Sequence, residues 1–69
     1  MRVLKNTIKE CRKEKHINQQ ELADCVGITR ETVGKLERGQ YQNPTYQIVF
    51  DLATFFEKPV EEIFHYEEE

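Results

Sequence analysis

No apolar stretch in this chain of 69 residues approaches the roughly 20 that a membrane-spanning helix needs, which excludes a bilayer-spanning segment. The opening Met1-Arg2-Val3-Leu4 is followed by Lys5-Asn6 rather than by an apolar run, so no secretory signal is read and a cytoplasmic setting is expected. Cysteine is scarce. Cys11 and Cys25 stand without a further cysteine or a nearby histidine to complete a metal-ligand spacing, so no metal site is expected and both thiols are read as reduced. His16 and His65 meet no nucleophile, base and orienting group in a recognisable set, so the chain is not expected to be an enzyme or to carry a cofactor. Strand alternation, internal repeats and low-complexity segments are also missing, apart from the closing glutamates. The expected class is therefore all-α, in one domain spanning 1–69 and near the lower size limit for an independent core. A chain this small often leans on a partner subunit.

What the chain does have is two short helix patterns meeting at one glycine. The first opens on Asn18 with Glu21 three residues later, the spacing of a capping box. It carries Leu22, Ala23 and Val26 on one face and stops at Gly27. The second opens on Thr29, carries Val33 and Leu36 inward and stops at Gly39. Two helices of about two turns, joined through a left-handed glycine, form a helix-turn-helix over about 18–38. That motif mainly serves to hold one helix in a DNA major groove.

Around it, a first helix is expected from about Asn6 or Thr7 to Lys15, with Ile8 and Cys11 inward and His16 at a position that turns left-handed. Cys25 falls on the outer side of the second helix and is the more reactive of the two thiols. A fourth helix starts near Thr45 and runs to about Phe56, with Val49, Leu52, Ala53 and Phe56 as its core stripe. Pro59 suits the start of a short fifth helix through Phe64. His65 to Glu69 reads as a short acidic, solvated tail. The fourth and fifth helices hold more apolar surface than a small monomer needs, and Ile48, Phe55, Val60, Ile63 and Phe64 are the expected homodimer contact.

Overall the chain lacks positive charge, with a net charge of −3, but the charge is polarised. Residues 1–45 hold nine Lys and Arg against six acids, and residues 46–69 hold one against seven. The basic part coincides with the helix-turn-helix, which orients a protein on a polyanion such as double-stranded DNA. The N-terminal turn of the third helix would face the bases. Arg30 suits guanine O6 and N7, Glu31 a cytosine amino group or the orientation of Arg30, Thr32 a phosphate or a thymine methyl, and Lys35 a base acceptor or phosphate. Thr29 and Arg38 bracket this helix within the expected DNA-binding set. Gln19 suits a phosphate oxygen at a helix N-terminus, and Tyr41, Gln42, Asn43 and Thr45 suit the DNA backbone. Gly34 is unusual in mid-helix, where it costs about 1 kcal/mol relative to Ala. Arg12 and Glu37 are expected to lock the first helix to the third as an ion pair.

The sequence resembles the Cro/CI-type, or XRE, helix-turn-helix family of prokaryotic and phage regulators. The resemblance runs from about Asn6 to Phe64 and rests on several segments. These are Ile8-Lys9-Glu10-Cys11-Arg12, Asn18-Gln19-Gln20-Glu21-Leu22-Ala23, Val26-Gly27-Ile28-Thr29, Leu36-Glu37-Arg38-Gly39, Asn43-Pro44-Thr45 and Pro59-Val60-Glu61-Glu62-Ile63-Phe64. It implies a compact five-helix, lambda-repressor-like domain that binds a pseudo-palindromic operator as a dimer and represses or activates transcription, with a repressor as the expected role. It also supports Gln19 as a phosphate contact, Arg30, Glu31, Thr32 and Lys35 as base-reading positions, and the Arg12–Glu37 pair. Three positions depart from the family pattern: His16 replaces a glycine, Gly34 replaces a side chain that often touches DNA, and Cys11 stands where a larger apolar residue is common. The competing expectation is an antitoxin or anti-repressor-like module that binds a protein partner through the apolar patch of the fourth and fifth helices.

Overall fold

Local capping chemistry sets the helix boundaries. In the computed structural model, which describes residues 1–69, β1 (Arg2–Asn6) is followed by α1 (Ile8–Glu14), α2 (Gln19–Val26), α3 (Arg30–Glu37), α4 (Tyr46–Phe56), α5 (Val60–Ile63) and β2 (Phe64–Glu68). Asn18 and Glu21 form a reciprocal capping box at the start of α2. Thr29 and Thr45 accept hydrogen bonds from the N–H groups of Thr32 and Ile48 to start α3 and α4. Gly27 ends α2 at φ 73°, a left-handed conformation that costs glycine nothing. His16 and Glu57 take the same region at φ 57° and 55°, after α1 and α4.

The inward stripes of all these elements meet in one core. Ile8 and Cys11 of α1, Leu22, Ala23 and Val26 of α2, Val33 and Leu36 of α3, and Leu52 and Phe56 of α4 are joined there by Leu4, Ile63 and Phe64. Two residues of the expected homodimer contact therefore have to be reassigned. Ile63 is fully buried and Phe64 is 8 % exposed, so both belong to the monomer's own core. The reason is that α5 is a single turn, and the chain leaves it in an extended conformation at Phe64, which directs both side chains inward. Ile48, Phe55 and Val60 are half-buried against the same core. The large apolar residues that remain exposed include Tyr46, Phe50 and Tyr66, with Tyr46 and Phe50 in contact at a ring-centroid distance of 4.4 Å.

The chain is not purely α-helical. β1 and β2 pair antiparallel, with Arg2 opposite Glu68, Leu4 opposite Tyr66 and Asn6 opposite Phe64. Residues expected to form a solvated tail are thus a strand. Its side chains are exposed from His65 onward, so it shows no buried alternation that a sequence pattern would register. Charge and ring contacts add to the ladder: Lys5 Nζ lies 2.8 Å from Glu69 Oε2, and the Arg2 guanidinium sits 4.2 Å from the Tyr66 ring centroid. On the outer edge of β1, Gln42 substitutes for a neighbouring strand. Its side-chain oxygen accepts from Leu4 N–H at 2.9 Å and its amide donates to Leu4 C=O at 3.2 Å.

Candidate nucleic-acid interface

A buried polar knot fixes how α3 is carried. Arg12 of α1 donates from Nε to Glu37 Oε2 at 2.7 Å and from Nη1 to the Ile17 carbonyl at 2.9 Å. The side chain of Glu37 is 5 % exposed and that of Arg12 13 %. Gln19, the first residue of α2, donates its side-chain amide to Glu37 Oε1 at 2.9 Å. One carboxylate at the end of α3 is thereby held from both α1 and α2. A charge pair this dry is costly to break on one side only, since the survivor stays desolvated.

Directly beside the knot, Arg12, Asn18, Gln19, Gln20 and Arg30, all polar residues, line a cleft of about 350 Å³. The N-terminal turn of α2 opens into it. Asn18 satisfies the N–H of Glu21, while the N–H groups of Gln19 and Gln20 precede the first intrahelical bonds and are open to a ligand. Unpaired N–H donors at a helix start, beside the exposed Arg30, suit a phosphate-like anion. Gln19 lines this cleft with its side-chain amide already engaged by Glu37. Gln20 and Arg12 were not among the expected contact residues. The sequence marks Arg12 only as a structural ion, and no spacing shows that the residue also borders a cleft.

On α3 itself, Arg30, Glu31 and Lys35 are exposed and Thr32 is half-buried. Arg30 and Lys35 form no ion pair within the chain. Thr29 and Thr32 share a hydrogen bond of 2.9 Å between their hydroxyls, so both contribute to the start of the helix as well as to its surface. Arg38 lies one residue past α3, with Nε and Nη2 donating to Gln40 Oε1 at 3.3 and 3.2 Å. By contrast, the lysines whose ammonium groups are held above the ordinary value of 10.5 lie elsewhere: Lys5 through its hydrogen bond with Glu69 and Lys58 through its hydrogen bond with Glu14.

The loop residues do not gather at the cleft. Tyr41 packs against the core, and Gln42 is committed to β1 and to the Gly39 carbonyl at 2.8 Å. Asn43 lines a different cavity of about 330 Å³, an apolar groove bounded by Leu4, Pro44, Val49, Val60 and Tyr66. Thr45 caps α4 and borders a third depression with Gly27, Ile28 and Gln47. Cys11 is buried and Cys25 exposed.

The sequence has counterparts among known proteins. The family model described as Helix-turn-helix matches residues 8–63, from the first residue of α1 to the last of α5. An uncharacterized HTH-type transcriptional regulator of Archaeoglobus fulgidus is 39 % identical over 66 residues, covering 96 % of this chain and 92 % of that one. A second, from Methanocaldococcus jannaschii, is 35 % identical and covers 96 % of this chain and 98 % of its own length. The uncharacterized HTH-type transcriptional regulator YgzD of Bacillus subtilis is also 35 % identical with the same coverage. With the motif, its caps, the buried Arg12–Glu37 pair and matches that span nearly the whole chain, the protein belongs to the XRE-type helix-turn-helix family.

Proposed function

We propose that this protein is a sequence-specific DNA-binding transcription regulator, acting in the cytoplasm as a repressor and reading an operator half-site with α3. The observation that carries the reading is the polar cleft at the start of α2, lined by Arg12, Gln19, Gln20 and Arg30. A phosphate seated there sets the depth and tilt of the neighbouring helix, so that Arg30, Glu31, Thr32 and Lys35 meet base edges. Arg30 supplies the two-pronged donor that guanine accepts. Thr29 and Thr45 stand at helix starts, with hydroxyls suited to adjacent phosphates. The chemistry is that of recognition, not of catalysis.

The same reading makes the working unit a homodimer, with two copies of α3 spaced about 34 Å apart, one turn of duplex. The surface best suited to a second copy is the groove lined by Val49, Val60 and Tyr66, with Tyr46 and Phe50 exposed on the neighbouring helix face. Ile48 and Phe55 of α4 lie instead on the side of α2, lining depressions with Val26 and Gly27, whereas Ile63 and Phe64 belong to the core beneath the groove. That patch also favours a second reading, in which the surface binds a different protein, as an antitoxin or anti-repressor does. Selection from a random duplex pool, followed by mobility-shift titration, tests the first. A recovered palindrome with half-sites one turn apart supports it; no sequence-dependent, salt-sensitive shift at micromolar protein overturns it. A monomer in sedimentation that still shifts DNA one copy at a time would favour the second reading for the patch.

A further inference from the structure

Gly34 sits mid-way along α3, where an alanine would be the better helix former, so something other than helix stability places it there. It is buried although it falls in the same row as Arg30 and Arg38, four residues either way along the helix surface. What buries it is the guanidinium of Arg38. A methyl group added at residue 34 would stand 3.0 Å from Arg38 Nη1 and 3.7 Å from both Cζ and Nη2. The arginine therefore folds back by one helical turn and lays its planar head on the bare backbone. Gln40 holds it there, accepting from Nε and Nη2, and Nη1 has no acceptor within the chain.

We infer that Gly34 is a seat, and that Arg38 delivers to the surface of the recognition helix the DNA-contacting group that residue 34 lacks. Gln40 is a positioning residue, fixing the plane of the guanidinium while Nη1 is left to meet an acceptor on DNA. The acceptor is a guanine edge or a phosphate oxygen, both of which accept paired N–H donors. Specificity at this point of the helix then comes from a side chain four positions further along, through a contact that a Cβ at residue 34 would push aside. The inference rests on α3 being the DNA-reading helix, and its test separates the two.

Four proteins are titrated against the duplex recovered by selection with the wild type, and against a random-sequence duplex: wild type, Gly34→Ala, Arg38→Ala and the double variant. Thermal melting is run alongside. Gly34→Ala should melt no lower than the wild type, because the methyl displaces only the far end of a flexible side chain. It should nevertheless bind the selected duplex about 5-fold more weakly, and Arg38→Ala about 10-fold. In the double variant the alanine at 34 should add nothing further, since both changes remove one contact. Loss confined to the selected duplex identifies a base edge, and equal loss on random DNA identifies a phosphate; either supports the seat. Gly34→Ala binding as well as the wild type, or adding its full effect to that of Arg38→Ala, overturns it. Failure of the wild type to shift any duplex overturns the DNA-reading role of α3 and the seat together.

Discussion

Of the ion pairs that connect distant segments of this chain, two differ in almost everything except their chemistry. Arg12–Glu37 lies between α1 and α3 with the carboxylate 5 % exposed, shared with Gln19. Lys5–Glu69 lies on the two-stranded sheet with side chains 42 % and 52 % exposed. The first holds α3 against two other helices in one orientation. The second clips together strands that already share a backbone ladder. Water decides the difference: a buried pair penalises the loss of either member, whereas an exposed one is screened and entropically loose.

Breaking the inner pair is expected to have the largest effect. Glu37→Ala should destabilise the fold by about 3–5 kcal/mol in urea unfolding, because Arg12 is stranded and Gln19 loses its acceptor. Replacing both members with apolar residues, Arg12→Met with Glu37→Leu, should recover part of that loss. A double variant weaker than Glu37→Ala would show that the pair itself, and not the stranded charge, sets the penalty.

Next in size is a change that leaves both pairs intact. Arg30→Ala should leave the melting temperature unchanged while weakening cognate binding by about 1–3 kcal/mol in anisotropy titrations. Equal weakening on random duplex would reassign Arg30 from the bases to a phosphate. For the outer pair, Lys5→Ala should stay within error of the wild-type melting temperature, and raising salt should affect the outer pair more than the inner one.

The smallest effect is an alkaline one. Hydrogen bonds to Glu69 and Glu14 raise the pKa values of Lys5 and Lys58 above 10.5 in the folded chain. A group whose folded pKa is raised contributes stability that is fully present below its unfolded value. That contribution should therefore be constant through neutral pH and fade as pH climbs past about 10.5 through the folded values. A melting temperature that falls between pH 7 and 9 would point to some other group.

The part of the molecule readable from residue order is the part built by neighbours. Asn18 with Glu21, Thr29 with Thr32, and Gly27 each act within a single turn, so the boundaries of α2 and α3 could be placed almost to the residue. His16 was placed in its left-handed conformation on the same grounds, whereas Glu57 bears no mark of the one it adopts. The Arg12–Glu37 pair was legible because two helices known to pack each carried one member. The sheet was not, because it joins the two ends of the chain and buries only Leu4 and Phe64. The acidic run that suggested a solvated tail gains its partners from Met1 and Lys5, at a distance no local window spans. Ile63 and Phe64 looked surplus because counting apolar residues does not reveal that a one-turn helix can sink both of them. Gln42 was read towards DNA, and only the strand beside it shows why its amide is occupied.

The ladder that sets Arg2 opposite Glu68 also brings the terminal ammonium to 3.0 Å from the Glu69 carbonyl oxygen. Topologically the backbone is then almost a ring, with its gap no wider than a hydrogen bond. A turn of about two residues across that gap would close the ring and lower the entropy of the unfolded chain without disturbing a helix. The residue at which such a ring is reopened becomes a free choice, wherever a surface turn tolerates a cut.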